Sequence, residues 1–316
     1  MGVKMFFDKP DNKVKKEDLI PRSDYEHLKQ IVKNQQEYLN NLYIFYKLNP
    51  TPFLKNLRDL SYELMRFFDN VCKKHDLDYW LCYGILLGAV RHEDFVPWDD
   101  DLDVGMMRAD YIKLVEVFEE EINLNNATNV SCAFKIDKRD KVSKRWFQIN
   151  YHHPDLKGKV LGIDVFPFDY VNEVDETFED RYYQARQNFY KRRDKNDDFK
   201  DAVDKLYEEL NLSMEKTPQY VAGVESVHGK MNIFSFNILE SDNLYPFQTL
   251  KFGKYSHPAP RDSNLFLRDI YGKSFMKIPK KMRDHGRLNR YRDVENIEEI
   301  FEKASRDLEN TNNNFK

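Results

Sequence analysis

The segment Trp98-Asp99-Asp100-Asp101-Leu102-Asp103-Val104-Gly105 limits what this chain can become more than any other stretch. Asp99, Asp101 and Asp103 recur at every second position, with Leu102 and Val104 between or beyond them. On a strand, side chains at i and i+2 share a face. The spacing therefore predicts a strand over 95–104 that crowds Asp99, Asp101 and Asp103 on one side and sends Leu102 and Val104 into a core. Carboxylates so close repel one another and cost stability unless a cation sits among them. Hard oxygen ligands in this number suit Mg²⁺ or Mn²⁺. The interleaved apolar residues argue against a merely solvated acidic loop. A calcium EF-hand loop fits poorly, because Val104 stands where Gly is needed, Asp110 where Glu is needed, and Pro97 interrupts the entering helix.

A second segment, Leu161-Gly162-Ile163-Asp164-Val165-Phe166-Pro167, sets one carboxylate in an apolar strand. A buried charge requires a partner, and a shared metal would supply one. Two aspartates on one strand and a third on its neighbour suit two-metal phosphoryl chemistry, in which one metal grips phosphates and the other activates the attacking hydroxyl. We therefore expect Asp99, Asp101, Asp103 and Asp164 to converge on metal, with Asp164 as the general base. An ordinary hydrogen-bonded or ion-paired role for Asp164 remains the alternative.

Just upstream runs Tyr83-Gly84-Ile85-Leu86-Leu87-Gly88-Ala89-Val90-Arg91-His92. Gly84 can take positive φ and admit a phosphate to the backbone, and the helix that follows would aim its first amides at that anion. Arg91 is suited to clamping a phosphate through two bonds. His92 is suited to donating to a phosphate oxygen or moving a proton. Gly84, Ile85, Gly88, Arg91 and His92 are thus the expected donor-binding residues.

The rest of the chain reads as helices and short strands. Helical spacing of apolar residues runs through 22–48, restarts at Thr51-Pro52 and continues to about His75. A short buried strand is expected at 79–83, a helix at 109–122, strands at 130–137, 145–152 and 161–168, and a charged helical stretch at 176–215. The fold class is α+β, a small mixed sheet flanked by helices. We expect an N-terminal extension over 1–50, with residues 1–20 poorly ordered, a catalytic domain over 51–290 carrying a helical insertion at 176–240, and a C-terminal tail over 291–316.

A net charge of −4 gives no electrostatic case for nucleic acid as a partner. Cys72, Cys82 and Cys132 are scattered, which fits neither a disulfide framework nor a zinc site. The first residues lack the apolar core of a signal peptide, and no run is long enough to span a bilayer. A cytoplasmic protein is expected, with contact at the inner membrane face left open. Residues 181–207 mix basic and aromatic side chains. A solvated helix face is the plainer reading, and contact with an anionic lipid or phosphorylated acceptor the sharper one.

The run from Tyr83 to Met106 resembles the signature of the LicD family, which includes bacterial phosphorylcholine transferases and the fukutin and fukutin-related proteins. Gly162-Ile163-Asp164-Val165-Phe166-Pro167-Phe168-Asp169 resembles that family's second acidic strand. Phe252-Gly253-Lys254-Tyr255 and the run from Leu267 to Met276 resemble its C-terminal blocks, so the likeness covers roughly 54–290. His285 resembles a C-terminal family histidine that would close over the site.

The resemblance implies a polymerase-β-type nucleotidyltransferase-like fold. It implies Mg²⁺-dependent transfer of a phospho-substituent from a CDP-linked donor, typically CDP-choline, to a cell-surface glycan or lipid-linked glycan acceptor. Asp101 and Asp103 fall on the family's paired metal aspartates, Asp164 on its third carboxylate, and Asp99 in support. Ile85 departs from the family's usual Ser or Thr, so a hydroxyl contact to donor phosphate is missing while backbone amides remain. A choline headgroup would need aromatic faces; Trp80, Tyr83, Trp98, Trp146 and Phe166 lie near the motifs, with core packing as their plainer role. Two other readings stay open: transfer of a nucleoside monophosphate from a triphosphate, and a degenerate binding protein of the same fold.

Overall fold

The computed structural model describes residues 21–45, 49–136, 144–196, 198–227, 236–278 and 287–316. Residues 1–20 and His285 lie outside them. The chain divides into two compact units, one made of 1–48 with 277–281 and the other of the remainder. In the first, α1 (Arg22–Phe45) is a single long helix. Its Gln36 side chain donates to the Ile278 carbonyl at 2.8 Å, and Asn40 Oδ1 accepts from the Ile278 amide at 2.9 Å.

The second unit opens with α2 (Pro52–Lys74), started by Thr51, whose hydroxyl accepts from the Leu54 amide, and by Pro52 at the first helical position. There follow β1 (Trp80–Leu81), α3 (Tyr83–His92), β2 (Leu102–Met107), α4 (Arg108–Leu124), β3 (Val130–Ile136), β4 (Lys144–His152) and β5 (Lys159–Val171). Next come α5 (Phe178–Asn196), α6 (Phe199–Leu210), β6 (Leu212–Ser213), β7 (Gln219–Ala222), β8 (Ile238–Glu240) and α7 (Ser241–Leu244). The remaining elements are β9 (Gln248–Phe252), β10 (Tyr255–Ala259), α8 (Ser263–Tyr271), α9 (Arg287–Tyr291) and α10 (Ile297–Asn313).

The central sheet has the order β1-β2-β5-β4-β3, with β6 and β7 pairing the far end of β5 and β8 beyond β7. Only the β2/β5 contact within this path is parallel. β9 and β10 form a separate hairpin. This mixed sheet flanked by helices is the polymerase-β-type nucleotidyltransferase-like arrangement. The segment 176–240, expected to be helical, also supplies β6, β7 and β8, which extend the sheet.

The apolar stripe of α2 explains its place. Leu57, Leu60, Leu64, Phe67, Phe68 and Val71 are all buried, each contributing on the order of 2 kcal/mol of transfer free energy. Phe67 meets Phe118 of α4 edge-on at 6.0 Å and Phe315 at 5.6 Å. α10 closes the same core with Ile297, Phe301, Ala304 and Leu308, a helical i, i+4, i+7, i+11 stripe.

α5 and α6 build a second, smaller core from Phe178, Tyr182, Ala185, Phe189, Ala202, Val203, Leu206 and Leu210. The plainer reading of 181–207 as a solvated face is therefore half right. Arg181 pairs with Asp175 at 2.8 Å and Lys200 with Asp204 at 2.7 Å on the outside. Arg193, by contrast, is buried over the rings of Phe134 and Phe199, at 4.4 and 4.9 Å.

Candidate active site

β2 begins at Leu102, so the strand expected from residue 95 starts seven positions later. Pro97 and a turn closed by the Asp99 amide on the Val96 carbonyl, at 2.9 Å, occupy the approach. Asp99 and Asp101 consequently precede the strand instead of alternating along it. A carboxylate oxygen from each of Asp99, Asp100 and Asp101 lies within 4.8 Å of the others. Asp100, which the alternation left out, is the most buried of the three. Leu102 and Val104 point into the core as expected, at 1% and 0% exposure.

Asp103 and Asp164 are register partners on the parallel strands β2 and β5. The neighbouring Ile163 and Val165 are fully buried, which turns Asp164 to the other face. Gln148 of β4 stands opposite Asp164 and donates a short hydrogen bond to its Oδ1. Lys135 of β3 lies 3.5 Å from its Oδ2. Asp164 thus has protein partners of its own, the ordinary alternative weighed for it, and stands at the same time beside Asp103.

The glycine segment does something other than expected. The positive φ falls on Tyr83, at 44°, and not on Gly84. Such a conformation is strained for a bulky residue; here Tyr83 is buried, its ring edge-on to Phe166 at 5.0 Å. Gly84 matters for space instead. A Cβ there would lie 2.6 Å from Asp99 Oδ2 and 3.7 Å from Asp103 Oδ2. The missing side chain lets the first turn of α3 approach both carboxylates. At Gly88 a Cβ would meet the Asp94 carbonyl at 2.3 Å, so this glycine seats the 94–96 loop on α3. Ile85 sends its side chain into the core at 1% exposure, leaving only its backbone for a ligand.

Arg91 donates to the Phe275 carbonyl at 3.0 Å and lies 5.9 Å from the Trp98 ring centroid. Its Nε donates to His92 Nε2 at 3.2 Å, which makes that nitrogen an acceptor. Burial, and then the Arg91 charge, lower the His92 pKa to about 4, so the ring is neutral at pH 7. His92 Nε2 is therefore placed to accept, and the neutral ring keeps its one proton on Nδ1. Tyr271 of α8 is near enough for burial and then Asp103 to push its phenol well up. Trp146 packs against Phe166 at 4.9 Å, the rings tilted by 43°, and carries Lys135 over its ring at 4.5 Å. That face, considered for a choline headgroup, holds the protein's own ammonium.

Gln148, Lys135, Asp100 and Tyr271 escaped the sequence reading. Gln148 had a weak signal, a polar residue amid Trp146, Phe147 and Ile149 in an expected strand. The lysine had none, since a lone Lys on an edge strand is ordinary.

Carboxylates on two adjacent parallel strands in the middle of the sheet thus lie beneath the first turn of α3, which Gly84 keeps open. Residues 76–201 match the family described as LicD/FKTN/FKRP, nucleotidyltransferase domain. Over that stretch, somewhat less than half of its length, the chain is similar to the LicD/FKTN/FKRP nucleotidyltransferase domain. An uncharacterised protein of Rickettsia prowazekii is 37% identical over 141 residues, covering 37% of this chain and 53% of that protein. Lipopolysaccharide cholinephosphotransferase LicD of Haemophilus influenzae is 30% identical over 114 residues, covering 34% and 41%. Ribitol 5-phosphate transferase FKRP of Homo sapiens is 28% identical over 111 residues, covering 34% and 20%. The match spans about half or less of these relatives. Among the described residues no helix is long and apolar enough to cross a membrane.

Proposed function

We propose that this protein transfers an alcohol phosphate, phosphocholine or a related group, from a CDP-linked donor to a hydroxyl of a glycan, with Mg²⁺ or Mn²⁺. The observation that carries the reading is the register pairing of Asp103 with Asp164 beside Asp99, Asp100 and Asp101, under the glycine that opens α3. The two named relatives, a cholinephosphotransferase and a ribitol 5-phosphate transferase, share transfer of an alcohol phosphate as their common chemistry.

The donor set is entirely carboxylate oxygen, which fits a hard divalent cation. Asp99, Asp101 and Asp103 would hold it, with Asp100 and Asp164 adjoining. When bound, such a cation neutralises phosphate charge and makes the attacking hydroxyl more acidic. The protein does the rest. Amides of the first turn of α3 face the donor's phosphates, an orientation the helix dipole favours. Asp164 accepts the proton of the attacking hydroxyl. Gln148 fixes the Asp164 carboxylate by donating to Oδ1, leaving Oδ2 toward Lys135. Neutral His92 steadies Arg91 behind the α3 segment.

Incubation with a panel of CDP-alcohols and a glycan acceptor, with Mg²⁺ or with EDTA, tests the proposal. CMP release that depends on the cation is the expected result. Pyrophosphate release from a nucleoside triphosphate would move the protein to the nucleotidyl-transferring alternative. Donor binding without turnover would make it a binding protein.

A further inference from the structure

Beyond Asp164 the same face of the sheet turns basic. Strand order runs β2, β5, β4, β3, so Asp103, Asp164, Gln148 and then Lys135 are met in turn. Lys135 reaches back over the Trp146 ring to within 3.5 Å of Asp164. Lys159, at the start of β5, is half-buried, and its stem folds over Gly162, with Cδ 3.4 Å from where a Cβ would stand. Arg290 of α9 donates to the Lys159 carbonyl at 3.4 Å. Tyr291 ties α9 to the same strand, donating to the carbonyls of Lys157 and Lys159 at 3.2 and 3.1 Å. Lys159 is disfavoured as a cation by burial; Asp164 attracts it, and Lys135 and Arg290 repel it.

Lys135 and Lys159 thus flank one carboxylate, and Arg290 of α9 stands beside Lys159. Like charges held together cost free energy that a bound anion removes. The face is divided, with carboxylates on the β2 side, cations on the β3 side and Asp164 at the boundary. A donor's diphosphate, drawn by a divalent cation and by α3 amides, belongs to the β2 side. An anion on the β3 side then comes from the other substrate.

We propose that Lys135, Lys159 and Arg290 form an anion subsite that receives a phosphate carried by the acceptor, next to the hydroxyl whose proton Asp164 takes. The substrate class is a phosphorylated sugar or polyol rather than a neutral glycan. The assignment to the acceptor rests on the proposed transfer reaction; the anion site itself does not. The same cations disfavour a positively charged group on this side of Asp164.

Calorimetric titration of the full chain with glycerol 3-phosphate and with glycerol, both in EDTA, tests the site without donor or metal. Glycerol 3-phosphate should bind in the millimolar range or tighter, and glycerol should not. Lys135→Gln and Arg290→Gln should each weaken that binding about tenfold, and Lys135→Arg should restore it. Both side chains are partly or fully exposed, so unchanged melting temperatures verify the fold of the variants. Equal affinity for glycerol and its phosphate, or variants that bind as the parent does, overturns the subsite. Variants that weaken CDP binding in Mg²⁺ while leaving glycerol 3-phosphate untouched assign the cations to the donor and overturn the acceptor claim. Failure of the transfer reaction itself would show separately, as absence of CMP release from every CDP-alcohol.

Discussion

Acidic side chains of β5 meet a second carboxylate twice, once against β2 and once beyond β7, and the two meetings are resolved in opposite ways. At one end Asp103 and Asp164 are partners across the strands. Five residues further along each segment, roughly 16 Å away, Arg108 at the start of α4 meets Asp169 of β5. There the guanidinium is buried between two carboxylates. It donates to Asp169 at 2.7 and 2.9 Å and to Glu225 at 2.6 and 2.9 Å, and Tyr207 adds a bond to Asp169 at 2.8 Å. Burial works against the Arg108 charge, and Asp169 and Glu225 more than restore it. At the Asp103 end, half-buried carboxylates cluster and a lysine reaches one oxygen of one of them. Charge closed off inside the protein holds the fold. Charge gathered in a cluster that could hold a metal ion is the candidate for chemistry.

Single substitutions should separate the two ends. Asp103→Asn is expected to lower cation-dependent CMP release by about 10³-fold, the scale of several kcal/mol that a catalytic cation supplies. Its melting temperature should hold or rise, since one repelling charge is gone. Arg108→Met should behave inversely, losing about 3–5 kcal/mol in denaturant unfolding because two carboxylates are left buried without their cation. An Asp103→Asn protein that unfolds as early as Arg108→Met would erase the distinction. Gly84→Ala comes next. Its Cβ would push on Asp99 Oδ2 from 2.6 Å, so kcat/KM should drop on the order of 10²-fold with little change in unfolding.

The smallest effect concerns another closed network, Asp69–Tyr79–His257. Tyr79 donates to Asp69 at 2.8 Å, and its hydroxyl lies 2.9 Å from His257 Nδ1. Burial lowers the His257 pKa to about 4. The folded protein therefore keeps this ring neutral where the unfolded chain, near 6.5, takes up a proton. Its contribution is intact above pH 6.5 and is lost as pH falls from there toward 4. Between pH 7 and 5.5 the protein should lose about 1 kcal/mol by this route, and His257→Gln should flatten that slope in urea titrations.

The fold was legible where periodicity is local. The stripes of α2 and α4, the Thr51-Pro52 start and the strands near 130, 145 and 160 are all patterns of a few residues. The site was legible in its residue types but not its local geometry. Alternation of Asp with apolar residues suggests a strand through 99–103, yet Pro97 and the Val96–Asp99 turn delay β2 and bring Asp100 into the acidic cluster. Gly84 was singled out for the wrong reason, because what demands a glycine there is a carboxylate arriving from fifteen positions later. Arg108 and Glu225 carry no local signal. Their pairing across 117 residues exists only once β7 lies against β5.

The stretch that matches the family, 76–201, leaves out α2, which packs against β5 and α4, and α10, which packs on α2. α2 precedes it and α10 comes about a hundred residues after it. They are joined by Phe53 against Phe301 at 5.8 Å and by Asn312, which donates to the Glu63 carbonyl and carboxylate at 2.9 Å. Expressed by itself, that stretch would present Phe118 and its neighbours to water and should aggregate. The unit that similarity recognises and the unit that can stand alone are different lengths of chain, and a minimal folded fragment must keep residues 52–74 and 297–313.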